Sequence, residues 1–233
     1  MAAKLDYTKN QIAQQIVQQW GDLTDEQYNL LLRNITIRRY KKNDYIYRDF
    51  ESPNLALYLI HGKVKIFKDG IGRNQIVRVI RDGQFFGYRA FFAQEKYKTA
   101  ATAFEVCYIA SFPIEILVQL MSQNFMINKY FIYMLSRELG ISDDRTVNLT
   151  QKHIRGRLAE ALLFLKDSYG IEEDGYTLSI YLSREDMASL SNMTTSNAIR
   201  TLSAFANEKI IAIDGRKIKI INDEELRRIS NIG

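Results

Sequence analysis

Ser196, Arg200 and Ser203 share one side of a helix-length run, with Thr195 and Asn197 flanking them. Hydroxyls, an amide and one guanidinium at this spacing supply the donors and acceptors that read base-pair edges in a DNA major groove. Projected at about 100° per residue, Ala198, Leu202 and Phe205 cluster on the other side, where they would hold the helix on a core. Thr194 stands just before the run as an N-cap. Upstream, Ser183 and Asp186 make a capping-box pattern with Met187 and Leu190 behind it, and Ser191-Asn192 break that first helix. The stretch from Leu182 to Leu202 therefore predicts two short helices around a tight turn. An ordinary helical hairpin with a solvated face would carry the same signature, so the residues that follow have to separate the two.

Glu208 to Ile213 and Arg216 to Ile221 are β-rich runs joined by Asp214-Gly215, a strong short-range hairpin signal. Arg216, Lys217 and Lys219 put positive charge at the tip and along one strand, suited to phosphates beside a groove. A helix pair followed by a basic hairpin predicts a winged helix-turn-helix. Its expected DNA-contacting set is Thr194, Thr195, Ser196, Asn197, Arg200, Ser203, Arg216 and Lys217.

The elements ahead of this module follow from pattern. Ile12, Ile16 and Trp20 recur at helical spacing, and Thr24 with Gln27 caps a second amphipathic stretch carrying Leu30 and Leu31. From about Thr36 to Phe112 the chain reads as short strands, among them 56–60, 63–68 and 75–80. Turns are expected at His61-Gly62, Asp69-Gly70 and Asp82-Gly83, and this punctuation argues for a small sandwich or roll. After Pro113 the pattern is helical for more than thirty residues. Ile127, Met134 and Ile141 repeat every seven positions, with Tyr130 and Phe131 beside the first two, as in a short coiled-coil seam. The same stripe would also serve to pack the helix on the roll. A hinge is expected near Asn148 to Lys152, and then a helix over 157–166 with Leu158, Leu162 and Leu165 on one face.

In this order the chain resembles the Crp/Fnr family of bacterial transcription regulators over nearly its whole length. The resemblance implies an α+β architecture. An N-terminal β-roll, a cyclic-nucleotide-binding-like jelly roll with N-terminal helices, would span 1–112. A long dimerisation helix and hinge would span 113–149, and a C-terminal winged helix-turn-helix 150–233. It further implies a homodimer on an inverted-repeat operator of double-stranded DNA, with RNA polymerase as a further partner. The dimer interface would be Ile127, Tyr130, Phe131, Met134 and Ile141.

A chain of 233 residues is long enough for two domains with separate cores. It has no apolar run of membrane-spanning length, so no membrane partner is expected. Met1 to Asn10 lacks the apolar core of a secretory signal, and the lone Cys107 fits a reducing compartment, so a cytoplasmic location is expected. The net charge of +5 is no argument for DNA binding. From Lys152 onward, 12 Lys/Arg balance 12 Asp/Glu, so the excess lies upstream.

Catalysis finds little support. A roll of this kind also carries metal-dependent enzymes, but these gather several histidines on one metal, and this chain has only His61 and His153. No phosphate-binding loop, nucleophile elbow or Cys-x-x-Cys is present, and no metal site is expected. Within the family, cyclic-nucleotide sensors bind ribose through a Gly-Glu-Leu turn and phosphate through Arg-Ser/Thr-Ala. Gly87, Thr99 and Ala100 match, but Tyr88 replaces the glutamate and Lys98 the arginine. Lysine lacks the bidentate fork, and the two changes together argue against cyclic AMP. One cysteine cannot hold a four-iron cluster. Haem is left open on residue type alone, through His61, His153 and Cys107. A buried, inert thiol is the preferred reading of Cys107. Gly87, Tyr88, Arg89, Tyr97, Lys98 and Thr99 form the candidate effector pocket, either for an anionic or aromatic ligand or as a ligand-free structural patch.

The reading is a sequence-specific DNA-binding transcription regulator whose roll answers an unidentified effector. The competing reading is a haem- or small-ligand-binding sensor module acting through protein contacts.

Overall fold

The computed structural model describes residues 7–70, 72 and 74–232. They form two compact units, Met1–Lys68 with Val77–Glu138, and Asp69–Ile76 with Leu139–Gly233.

The first unit opens with α1 (Lys9–Trp20) and α2 (Asp25–Asn34). Thr24 caps α2 through the expected reciprocal box with Gln27. Eight strands follow: β1 (Thr36–Tyr40), β2 (Tyr45–Tyr47), β3 (Leu55–His61), β4 (Val64–Asp69), β5 (Asn74–Ile80), β6 (Phe85–Phe86), β7 (Ala100–Ala103) and β8 (Cys107–Pro113). A single turn, α3 (Arg89–Phe92), separates β6 from β7. The strands make two four-stranded sheets, in the orders β1-β8-β3-β6 and β2-β7-β4-β5.

Strand β3 explains why this unit holds together. Leu57 and Leu59 enter the core between the sheets, while Ala56, Tyr58 and Ile60 enter a second core beneath the helices. A strand buried on both faces reads as a continuous apolar run, as Leu55 to Ile60 does. Trp20 anchors the second core, stacking on Phe85 with centroids 5.4 Å apart. Cys107 is buried as expected and its thiol donates to the Lys63 carbonyl oxygen at 3.1 Å. Burial pushes its pKa up to about 11, so it stays a protonated, unreactive thiol.

The single long helix expected after Pro113 is two helices, α4 (Ile114–Gln123) and α5 (Phe125–Gln151). Asn124 between them is extended; its side chain accepts from the Met126 amide and donates to the Asp22 carbonyl. That pair of bonds holds α1 and α2 to the start of α5, a long-range reason that local pattern does not carry. Helix α5 continues through Gln151, so the helix break falls at Lys152 and His153, at the end of the stretch where the hinge is expected, and the next helix starts at Ile154.

The second unit contains α6 (Ile154–Tyr169), α7 (Arg184–Leu190), α8 (Thr195–Asn207), β9 (Ile211–Asp214), β10 (Lys217–Ile220) and α9 (Asp223–Ile232). Leu158, Leu162 and Leu165 of α6 are all fully buried, as are Ala198 and Phe205 of α8 and Leu226 of α9. Asp69–Ile76 clusters here because Ser189 of α7 donates to the Asn74 carbonyl and accepts from the Ile76 amide. No described helix is long and apolar enough to cross a membrane.

Candidate nucleic-acid interface

Helix α7 starts where Ser183 accepts from the Asp186 amide at 3.0 Å and donates to its carboxylate at 2.7 Å. Its end is closed by Ser191, whose amide reaches the Met187 carbonyl, and by Asn192 in the left-handed region at φ 51°. Asparagine tolerates that conformation because its short amide bonds locally, which is what a tight turn between helices needs. Thr194 then caps α8 by accepting from the Asn197 amide at 3.2 Å.

On α8, Ala198, Leu202 and Phe205 are buried as expected, joined by Thr201. Thr195, Ser196, Arg200 and Ser203 are exposed together on the opposite side, with Thr194 at its start. Asn197 is only half-buried, and its side-chain oxygen accepts from Arg200 Nη2 at 3.0 Å. It therefore aims the guanidinium more than it offers a free amide of its own. At the C-terminal end of this helix Arg155 of α6 makes a two-pronged pair with Glu208 at 2.7 and 2.6 Å, and holds the Glu208 carboxyl below its usual range.

The expected hairpin forms, with Lys217 opposite Asp214 and Gly215 at φ 56° in its turn. Arg216 and Lys217 are exposed at the tip. Lys217 also lies over the Tyr181 ring, 5.4 Å from its centroid. Lys219 is engaged elsewhere, 3.2 Å from Asp174. The Asp174 carboxyl is held well below its usual range, first by the Thr177 hydroxyl and amide and only last by Lys219.

Two residues at this surface escaped the sequence analysis. Arg184, in the first turn of α7, donates from Nη2 to the Gly215 carbonyl at 2.8 Å. Ile199 is 46% exposed at the border of the polar face of α8. The helical projection would have found Ile199, since it falls between Thr195 and Ser203. Nothing in the local sequence signals the Arg184 bond.

The candidate effector residues divide: Gly87 lies beside Tyr97, and Thr99 bonds to Tyr47, which stacks on Tyr97, while Tyr88 lies in the other core and Lys98 at the surface. Gly87 has φ 81°, and a Cβ there would stand 2.9 Å from Leu57 Cδ1 and 3.3 Å from the Tyr97 hydroxyl. Tyr88 is 1% exposed; it packs in the core beneath the helices, edge-on to Phe131 at 4.9 Å, where burial pushes its hydroxyl pKa up. Tyr97 lies in the other core, stacked on Tyr47 at 3.9 Å. Arg89 is exposed at the start of α3, Thr99 is half-buried, and Lys98 faces solvent paired with Glu95 at 2.6 Å. A buried pair not anticipated from sequence, Arg78 on β5 and Glu138 on α5, stands at 2.7 Å with side chains only 12% and 18% exposed. Of the haem-ligand candidates, exposed His61 lies 3.1 Å from Asp82, Cys107 is buried, and His153 belongs to the second unit.

The expected dimer seam divides. Ile127, Phe131 and Met134 are buried, the first two in the core beneath the helices. Tyr130 packs against that core and donates to Gln19 at 2.8 Å. These four side chains are used within the unit, as the packing alternative anticipated. Ile141 is exposed. Other exposed apolar residues of α5 lie on a different side from that repeat: Phe125, Ile132 and Leu139 recur every seven positions.

Comparison with known proteins adds two matched segments. Residues 37–124 match the cyclic nucleotide-binding domain model, and residues 156–229 match the Crp-like helix-turn-helix domain model. The chain is similar to a CRP-like cAMP-activated global transcriptional regulator of Mycobacterium tuberculosis, 22% identical over 191 residues covering 81% of this chain and 85% of that protein. It is also similar to the cAMP-activated global transcriptional regulator CRP of Escherichia coli O157:H7, 21% identical over 199 residues covering 84% and 95%. Among solved structures, FixK2 from Bradyrhizobium japonicum shares the fold, with a TM-score of 0.75 at 21% identity over 84% of this chain and 96% of that one.

Proposed function

The chain belongs to the Crp/Fnr family of transcription regulators, and within that family we propose that it works as a cytoplasmic homodimer reading an inverted-repeat operator. The observation that carries this reading is the face of α8, where Thr195, Ser196, Arg200 and Ser203 stand exposed above a fully buried apolar stripe. A capped helix of 13 residues with that division inserts its polar face into a major groove while its other face stays on the domain. Arg216 and Lys217 on the hairpin then meet phosphates beside the groove, fixing register without reading sequence.

One such helix reads few base pairs. Two copies about 34 Å apart on successive major-groove faces roughly double the contact free energy. The exposed stripe of Ile132 and Leu139, one heptad apart on α5, supplies a two-fold seam for that pairing. The three-part organisation, with 1–112 as sensor, 113–149 as dimerisation segment and 150–233 as reading head, follows from this reading. RNA polymerase is the downstream partner it implies. No catalytic step is assigned to the chain.

The relatives' names carry cyclic AMP, but the residues of this roll do not fit it. Tyr88 is spent in the core and Lys98 is paired with Glu95, so the ribose-binding glutamate and the phosphate-binding arginine of such sensors have no counterpart here. We therefore assign no cyclic nucleotide to it, and the effector stays unassigned. Selection of bound sequences from random duplexes by the full-length protein tests the proposal. An enriched inverted repeat with half-sites one helical turn apart supports it; no enrichment over random DNA contradicts it.

A further inference from the structure

We propose that Arg200 reads a guanine and that Ile199 beside it is a specificity residue that packs on the C5-methyl group of a neighbouring thymine. The inference rests on the reading of α8 as the groove-entering helix and assigns one further base to it.

The argument starts from where Ile199 stands. Residues 195, 199 and 203 form one i, i+4 row on α8, and 196 and 200 form the adjacent row. Ile199 therefore has Thr195 and Ser203 above and below it and Arg200 beside it, all exposed. The core takes Ala198, Thr201, Leu202 and Phe205 on the neighbouring arc and leaves Ile199 46% exposed at the border of the polar face. It is not a helix-stabilising choice, because a β-branched side chain loses rotamer freedom in a helix. An isolated surface isoleucine needs no explanation by itself. This one borders a face whose other members are hydroxyls and a guanidinium, and no apolar side chain of its own row pairs with it.

The major groove offers one apolar recognition element, the thymine methyl group, and three base pairs lack it on any given strand. A branched aliphatic side chain is complementary to that methyl and cannot satisfy the amino and carbonyl groups that other base edges present. Asn197 holds the Arg200 guanidinium by its 3.0 Å bond, so Arg200 and Ile199 keep a fixed offset along the groove. The two side chains then read neighbouring base pairs as one unit, an ionic fork on guanine and an apolar contact on thymine.

Deoxyuridine isolates the proposed contact, because it differs from thymidine only by that methyl group. The full-length protein is first used to select its operator from random duplexes. Each thymine of the operator is then replaced singly, and affinity is measured by fluorescence anisotropy for the wild-type protein, Ile199→Ala and Ile199→Val. At one thymine per half-site, uracil is expected to weaken wild-type binding by about three- to tenfold. Ile199→Ala should bind the parent operator more weakly and be indifferent to uracil at that position, with Ile199→Val in between. Alanine at an exposed helical position favours the helix, so the variant retains α8. Uracil effects that are the same in wild type and Ile199→Ala, or absent everywhere, overturn the assignment while leaving the operator intact. Failure to enrich any operator contradicts the reading of α8 itself, a separable outcome.

Discussion

Arg184 and Gly215 join the two parts of the DNA-facing surface: Arg184 Nη2 in the first turn of α7 donates to the Gly215 carbonyl at the turn of the hairpin, 2.8 Å away. The bond fixes the hairpin tip against the helix pair, so that Arg216 and α8 approach a duplex with a set offset. A charge-assisted bond of this kind is stronger than a neutral one.

Arg184→Ala should loosen the hairpin without changing what α8 reads. Affinity for the selected operator is expected to fall about tenfold, equivalent to about 1.4 kcal/mol. Affinity for random duplex should fall by a similar factor, because phosphate contacts carry no sequence information. Anisotropy titrations on both duplexes check this. A loss confined to the operator would place Arg184 among the base-reading residues instead.

Arg78 and Glu138 hold β5 to α5 within the first unit by a largely buried pair. Removing one partner leaves a desolvated charge, so Arg78→Ala should destabilise this unit by about 3–5 kcal/mol. Arg78→Leu with Glu138→Leu removes both charges and should recover most of that loss. Urea unfolding of the three proteins decides it. A single variant as stable as wild type would mean that water already solvates the pair.

The exposed stripe of α5 predicts which substitutions break a dimer. Ile132→Glu with Leu139→Glu should give folded monomers that keep weak non-specific binding, because facing carboxylates are costly to desolvate. Met134→Glu places charge in a buried position and should lower stability first. Light scattering and thermal unfolding on the same samples separate the two effects. A double variant that stays dimeric moves the interface away from α5.

Cyclic AMP should give no saturable heat on calorimetric titration and no change in operator affinity. The cause is the packing of Tyr88 against Phe131 and the pairing of Lys98 with Glu95. Micromolar binding accompanied by tighter operator binding would show that the roll opens to admit the nucleotide.

What could be read from sequence, and what could not, divides by the range of the interactions. The Thr24–Gln27 box, the Thr194 cap, the buried stripe of Ala198, Leu202 and Phe205, and the Asp214-Gly215 hairpin are all local, and all form as expected. Asn124 ends α4 with help from Asp22, far away along the chain, and no local pattern announces that. Helix α5 carries two apolar stripes, and periodicity does not say which one meets the roll. Ile127, Phe131 and Met134 do, leaving Ile132 and Leu139 outside. Tyr88 poses the same difficulty in a loop, since an aromatic ring there either lines a pocket or fills it. At the reading face, attention to polar groups passed over Ile199, although its spacing placed it among them.

The central claim is that α8 reads bases through Arg200, and the most direct test is a repeat of the sequence selection with Arg200→Ala. The account predicts that preference for one guanine pair per half-site is lost while the other positions of the repeat persist. Affinity for the original operator should fall by about 1–3 kcal/mol per half-site. Affinity for random duplex should change far less. A selected sequence identical to that of the wild-type protein, bound with equal affinity, would contradict the claim.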